Sequence, residues 1–205
     1  MIERVVNTVF TSCSYLIDDG DGGVWMVDCG DVEPVVRLLR GRVVRGVLLT
    51  HGHFDHIYGL NELCKLFPNA LVYTNAAGRD ALLDTKLNLS KYHETPFVFN
   101  RPQNIRLSDE GERITLSESM TAEVLATPGH NPSCLTYMVG SDLFTGDAYI
   151  PGSKVLTNLP GSDKHAAASS LTRLIALVPT KTLHPGHCIR PKKADLNYKS
   201  AFLLV

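Results

Sequence analysis

The stretch Val43 to Thr50 is rich in valine and leucine, and its last four residues, Val47-Leu48-Leu49-Thr50, form a short continuous apolar run. A run of this length reads as a strand buried on both faces. The period then changes. Ile57, Leu60, Leu63, Cys64 and Phe67 fall on one stripe, which predicts a helix over 57–67. Ahead of the run, Val5 to Ile17 and Val24 to Asp28 read as β structure joined by the turn Asp18-Asp19-Gly20-Asp21-Gly22-Gly23, and Val32 to Leu39 predicts a helix with Pro34 in its first turn. After it come a strand over 70–74 and a short helix over 76–83, so strands and helices alternate. Lys86 to Asn104 is polar and aromatic and reads as a loop holding a short helix.

The second half repeats the plan without an internal sequence repeat. Strands are predicted over 113–116, 121–126, 135–139 and 142–144, separated by the turns Asp109-Glu110-Gly111, Gly129-His130-Asn131-Pro132 and Gly140-Ser141, and they suggest a second sheet. Asp163 to Val178 has the best helical pattern in the chain, with Ser162 or Asp163 as its cap and Ala167, Leu171, Leu174, Ile175 and Val178 on one face. A short strand over 181–183 runs into His184-Pro185-Gly186-His187.

Composition narrows the function classes. With 205 residues and no Pro/Ser-rich linker, one domain over 1–205 is the simplest division. A net charge of −1 argues against a nucleic-acid partner. Met1-Ile2-Glu3-Arg4 does not open like a signal peptide, and no apolar run reaches the roughly 18 residues a bilayer requires, so no membrane association and a cytoplasmic location are expected. Five cysteines without a Cys-x-x-Cys pair argue against a disulfide framework. Most read as small buried hydrophobes, while Cys134 and Cys188 lie near candidate ligands and are candidates to line a pocket or to oxidise there.

The chemistry concentrates where strands end. His51-Gly52-His53-Phe54-Asp55-His56 places three imidazoles and a carboxylate within six residues, directly after the 43–50 strand. Imidazole and carboxylate suit zinc and similar divalent ions, and ligands spread over several loops leave positions open for water and substrate. Three other short strands each run into a glycine beside a potential ligand: Thr127-Pro128-Gly129-His130, Thr145-Gly146-Asp147 and His184-Pro185-Gly186-His187. Each signal is weak alone, since a histidine after Pro-Gly is commonly a surface turn residue. Combined with the first cluster they are specific. A closed structural site would have four ligands and be rich in cysteine, so this open set points to catalysis over a purely structural or binding role.

The ordered set His-x-His-x-Asp-His, Thr-Pro-Gly-His, Thr-Gly-Asp and His-Pro-Gly-His resembles the metallo-β-lactamase superfamily, particularly its glyoxalase II-like branch, and Val27-Asp28-Cys29-Gly30 resembles that family's first motif. The resemblance implies an αββα four-layer sandwich with a two-metal site at one edge. Residue by residue, it gives His51, His53 and His130 to one ion and Asp55, His56 and His187 to the other, with Asp147 bridging. It implies two divalent ions, zinc foremost, with iron or manganese as alternatives. Asp55 and Asp147 would then hold the catalytic hydroxide, because a bridging carboxylate screens the repulsion between neighbouring cations and metal binding makes hydroxide available near neutral pH.

The implied substrate is a small molecule, an acyl thioester or a related ester or lactone. Only 18 residues follow His187, where glyoxalase II carries a long helical region, so strict dependence on glutathione is not expected. The residues after the ligands also depart from the glyoxalase II pattern, at Ile57-Tyr58-Gly59, Asn131-Pro132-Ser133-Cys134 and Ala148-Tyr149-Ile150. Tyr58, Tyr149 and Lys154 are candidate pocket residues, with Lys154 able to anchor a carboxylate, and ordinary packing or solvation is the competing reading for each. A mononuclear-iron persulfide dioxygenase, a lactonase and a β-lactamase are the rival activities. Asp28 reads equally as an orienting partner for a ligand and as a turn carboxylate; His184 reads as structural, His93 and His165 as surface residues. The oligomeric state is left open.

Overall fold

The computed structural model describes residues 1–188. Its first sheet has six strands in sequential order, β1 (Ile2–Val6), β2 (Cys13–Asp18), β3 (Gly23–Val27), β4 (Val43–Leu48), β5 (Leu71–Thr74) and β6 (Ile105–Leu107). The first three are antiparallel to one another, and β3 through β6 run parallel. The second sheet has the order β11 (Thr182–Pro185), β10 (Asp142–Gly146), β9 (Leu135–Val139), β8 (Thr121–Ala126) and β7 (Arg113–Thr115). It is antiparallel except for the β10–β11 pair.

Side-chain alternation assembles these sheets into four layers. On β2 and β3, Cys13, Tyr15, Ile17, Trp25 and Val27 face the second sheet, where they meet Ile114, Ala122, Val124, Leu135, Tyr137 and Phe144. The alternate residues Leu16, Val24 and Met26 pack with Val44, Val47 and Leu49 against α1 (Val32–Leu39), α2 (Leu60–Leu66) and α3 (Ala76–Leu83). Burial on both faces explains why these strands read as continuous apolar runs. On the outer side of the second sheet, Leu125 and Leu143 pack against Leu174 of α4 (Lys164–Leu177). The indole Nε1 of Trp25 crosses the inter-sheet core to donate to the Leu116 carbonyl at 2.9 Å, so this large ring is buried without an orphaned donor. This is the expected αββα sandwich. Among the described residues no helix is long and apolar enough to cross a membrane.

Local departures from the sequence reading have physical causes. Val5 to Ile17 is not one extended segment: Phe10 and Thr11 take φ of 52° and 57°, turning the chain between β1 and β2 with no glycine or proline to announce it. The helix expected from Ile57 starts at Leu60, preceded by a 3-10 turn over Phe54–His56. Gly59 permits that junction, because a Cβ there would strike the Gly30 carbonyl oxygen. β6 is a three-residue edge strand, too short to carry a period, whereas α3 follows its expected range. α4 is capped by Asp163, whose side chain accepts from the backbone N–H groups of His165 and Ala166.

Candidate metal centre

Both sheets send strand ends to the same edge. β4 leads into His51, His53, Asp55 and His56; β8 leads into His130, β10 into Asp147 and β11 into His187. The two sides are tied where Leu135 N donates to Thr50 O at 2.7 Å and Gly52 N donates to Ser133 Oγ at 2.9 Å. Gly186 lies against Asp147, and a Cβ at this position would collide with that carboxylate and with the Gly146 backbone. Gly146 takes φ of 50° directly before Asp147. The glycines beside the ligand candidates are therefore required by backbone conformation and close approach.

All seven predicted ligands meet at this edge. His51, His53 and His130 form one group, Asp55, His56 and His187 a second, and His51, His56 and Asp147 a third; within each group the potential ligand atoms lie within 4.8 Å of one another. Asp147 faces both sets. Its Oδ2 is 3.5 Å from His130 Nε2 and 3.3 Å from His187 Nε2, and its Oδ1 is 3.5 Å from His56 Nε2. Asp55 Oδ2 is 3.3 Å from His187 Nε2 and 3.4 Å from His56 Nε2.

Four of the five imidazoles share one arrangement, in which Nδ1 is held from behind and Nε2 points inward. His56 Nδ1 donates to Asp28 Oδ2 at 2.8 Å, His130 Nδ1 to Leu156 O at 3.0 Å and His187 Nδ1 to Phe10 O at 3.0 Å. His51 Nδ1 lies 3.2 Å from Thr50 Oγ1, whose own proton goes to Asp28 Oδ2 at 2.7 Å, so the hydroxyl accepts from the ring. That leaves His51 Nε2 bare, and it is one of the buried polar atoms without a hydrogen-bond partner, together with Asp147 Oδ1. A buried imidazole nitrogen and a buried carboxylate oxygen left unpaired inside a ring of other nitrogens and oxygens fit a cation, which would satisfy both. His53 differs: its Nδ1 meets His130 Nε2 at 2.9 Å, and its Nε2 takes the Asn131 amide at 2.9 Å.

Charge divides the cluster. Burial, reinforced by the neighbouring imidazoles, pushes His51 well below its ordinary pKa, and burial together with His130 lowers His53 to about 4. For His56 and His187 burial acts the same way but is overcome by carboxylates: Asp55, Asp28 and Asp147 raise His56, and Asp147 with Asp55 raise His187 to about 10. Burial would raise Asp55 and Asp147, yet the histidines beside them hold both below the usual carboxylate range.

Other candidates fall outside the cluster. Tyr58 donates its hydroxyl to Asp31 Oδ1 at 2.5 Å, Tyr149 packs against the Leu125, Leu143, Ala148 and Leu174 core, and Lys154 is exposed. Their geometry therefore follows the packing and solvation reading. His184 turns to Asp142 at 2.7 Å and stacks on Phe144, while His165 is exposed at the start of α4. His93 is half-buried and lies against Phe54, with ring centroids 4.2 Å apart and the rings tilted by 37°, so it is less peripheral than its polar surroundings suggest. Asp28 is both things the sequence offered: it turns the chain directly after β3 with φ of 55° and it holds His56. Thr50, Asn131, Ser133 and Phe10 support the ligand candidates through bonds that no spacing rule announces.

The fold is shared with known proteins. The chain is 34% identical over 134 residues to a hydroxyacylglutathione hydrolase from Stenotrophomonas maltophilia, covering 65% of this chain and 44% of that protein. It spans about half the length of several curated relatives it matches, that hydrolase among them. Of solved structures, the BLEG-1 B3 metallo-beta-lactamase is similar with a TM-score of 0.81 and 27% identity, covering 92% of each chain. TTHA1623 in a di-iron-bound form is similar with a TM-score of 0.79 and 29% identity, covering 91% of this chain and 92% of that one. The metallo-beta-lactamase superfamily model matches residues 7–187, nearly the whole described span, and the chain belongs to that superfamily.

Proposed function

We propose that this protein is a hydrolase that holds two divalent cations, zinc foremost, and cleaves a small acyl thioester or a related ester or lactone. The observation that carries the reading is the inward Nε2 of His51, buried and unpaired among the other imidazoles beside the unpaired Oδ1 of Asp147. His51, His53 and His130 would hold one cation, Asp55, His56 and His187 the other, and Asp147 would face both. When bound, such ions lower the pKa of water towards about 7 and polarise a carbonyl.

The chain's own residues do the positioning. Asp28, Leu156 O and Phe10 O keep the Nδ1 protons of His56, His130 and His187 directed outward, which fixes the tautomer and leaves Nε2 as the donor atom. Thr50 Oγ1 donates a hydrogen bond to Asp28 Oδ2 and accepts one from His51 Nδ1, so one hydroxyl orients His51 directly and the carboxylate that holds His56. The similarity to a hydroxyacylglutathione hydrolase supports thioesters as the first substrates to try, and the similarity to BLEG-1 adds β-lactams to the panel.

The test combines metal content with turnover. Protein purified without added metal and then saturated with zinc should hold two ions per chain by elemental analysis. It should hydrolyse at least one of lactoylglutathione, a shorter acyl thioester, a simple lactone or a β-lactam, and lose that activity to a chelator. One ion per chain would refute the paired site. A single iron with oxygen-dependent persulfide turnover would replace hydrolysis with an oxidoreductase activity.

A further inference from the structure

Two of the five cysteines stand apart from the rest. Cys29 and Cys64 are buried in the apolar layer beneath the helices, and Cys134 is buried as well. Cys13 and Cys188, by contrast, face each other with their Sγ atoms 3.0 Å apart across 175 residues of sequence. The backbone holds them in register. Cys13 N donates to Gly186 O at 2.7 Å, Ser12 pairs with His187 in an antiparallel bridge, and Cys188 N donates to Thr11 O at 3.2 Å. The chain immediately before Cys188 is thus stitched to the start of β2, and the residue between the stitches is His187.

We propose that Cys13 and Cys188 are a reversible thiol–disulfide pair whose oxidised form fastens the His187 segment to β2. The sulfurs need to close only from 3.0 Å to about 2.05 Å, a movement small enough for side-chain adjustment. Access orders the reaction: Cys13 is 1% exposed, whereas Cys188 is only partly buried. A low-molecular-weight disulfide is the oxidant. The thiolate of Cys188 attacks one of its sulfurs, forming a mixed disulfide and releasing one small thiolate, which takes up a proton. Cys13 then attacks Cys188 Sγ, forming the protein disulfide, and its proton goes to the departing thiolate, which leaves as the second small thiol. The two protein thiols lose two electrons, and the small disulfide gains them and leaves as two thiols.

The metal-retention effect rests on the proposed metal reading, whereas formation of the bond does not. Reduced wild-type protein would be incubated with oxidised glutathione, alkylated, and digested with chymotrypsin without reduction. A peptide pair joining Cys13 to Cys188 is expected. A cross-link closing so long a loop should raise the melting temperature by on the order of 10 °C, reversibly with dithiothreitol and not in Cys188→Ser. In zinc-loaded protein, oxidation should slow metal loss to a chelator severalfold in the wild type and leave Cys188→Ser unchanged.

Recovery of both residues as alkylated thiols, or of Cys188 joined only to glutathione, would overturn the proposal on the wild-type protein alone. A disulfide that leaves metal release unaltered would overturn the fastening of His187. A linked pair in a chain that takes up no metal would sink the hydrolase reading and leave the disulfide standing.

Discussion

Asp28→Asn isolates what the carboxylate behind the cluster contributes. Asp28 is 1% exposed and accepts three hydrogen bonds, from Thr50 N at 2.7 Å, Thr50 Oγ1 at 2.7 Å and His56 Nδ1 at 2.8 Å. An asparagine keeps the size of the side chain and one carbonyl oxygen for Thr50 N, and it tolerates the left-handed backbone that φ of 55° imposes. It places an amide N–H₂ where Oδ2 had accepted from Thr50 and His56, so His56 loses a charged acceptor. A hydrogen bond to a charged group contributes about 1.5–3 kcal/mol. At about 1.36 kcal/mol per tenfold, that loss is roughly 10- to 150-fold in zinc affinity, which overlaps the range of about 10- to 100-fold seen when partners of metal ligands are removed. Competition against a chromophoric chelator measures the affinity, and circular dichroism with urea melts shows whether the fold persists. Zinc affinity within twofold of wild type in a folded Asp28→Asn protein would refute the claim that this carboxylate orients His56 for a cation.

Further outcomes follow from the same geometry. In metal-stripped protein, the raised pKa of His187, about 10, favours its protonated form in the fold; this contribution is complete below the ordinary value of 6.5 and is lost as pH climbs through 10. The urea midpoint of chelator-treated protein should fall between those limits, and a flat profile would refute the ion pairing with Asp55 and Asp147. Tyr137→Phe removes a buried hydroxyl that donates across the sheets to Leu49 O at 3.0 Å, so urea melts should show a loss of about 1–2 kcal/mol. An unchanged midpoint would show that this bond contributes nothing net. Gly186→Ala forces a methyl against Asp147, and overpacking of about 1–3 kcal/mol should appear as weakened zinc binding in chelator competition; wild-type affinity would mean the loop yields freely.

The sequence made legible those features that have a period or a fixed spacing. Alternation and helical stripes located most elements, α3 to the residue, because each buries one face against the same core along its whole length. Six of the seven ligand candidates could be read because they follow the apolar strands β4, β8 and β10; His187 follows the short, partly exposed Thr182–Pro185 and was read from its glycine and its place in the ordered set. The turn at Phe10 and Thr11 was not legible, since two ordinary side chains occupy the left-handed region there, held by contacts that close only in three dimensions. The supporting bonds from Thr50, Leu156 O and Asn131 were hidden for the same reason: two of the three are backbone or hydroxyl groups that any sequence offers everywhere. Tyr149 could be read either way, since its position near a ligand in sequence says nothing about which face of the chain its ring takes; it packs towards α4.

The division of the cluster between the sheets has a consequence for assembly. His51, His53, Asp55 and His56 follow β4, while His130, Asp147 and His187 follow strands of the other sheet, and each group of three ligand candidates draws on both. A nascent chain that has emerged only as far as β6 holds four of the seven and completes no group. Tight cation uptake would therefore be reserved for a chain whose two halves have already docked, and an ion acquired late would act as a rivet through both plates: withdrawing it with a chelator should loosen the seam between the sheets before it loosens either sheet alone.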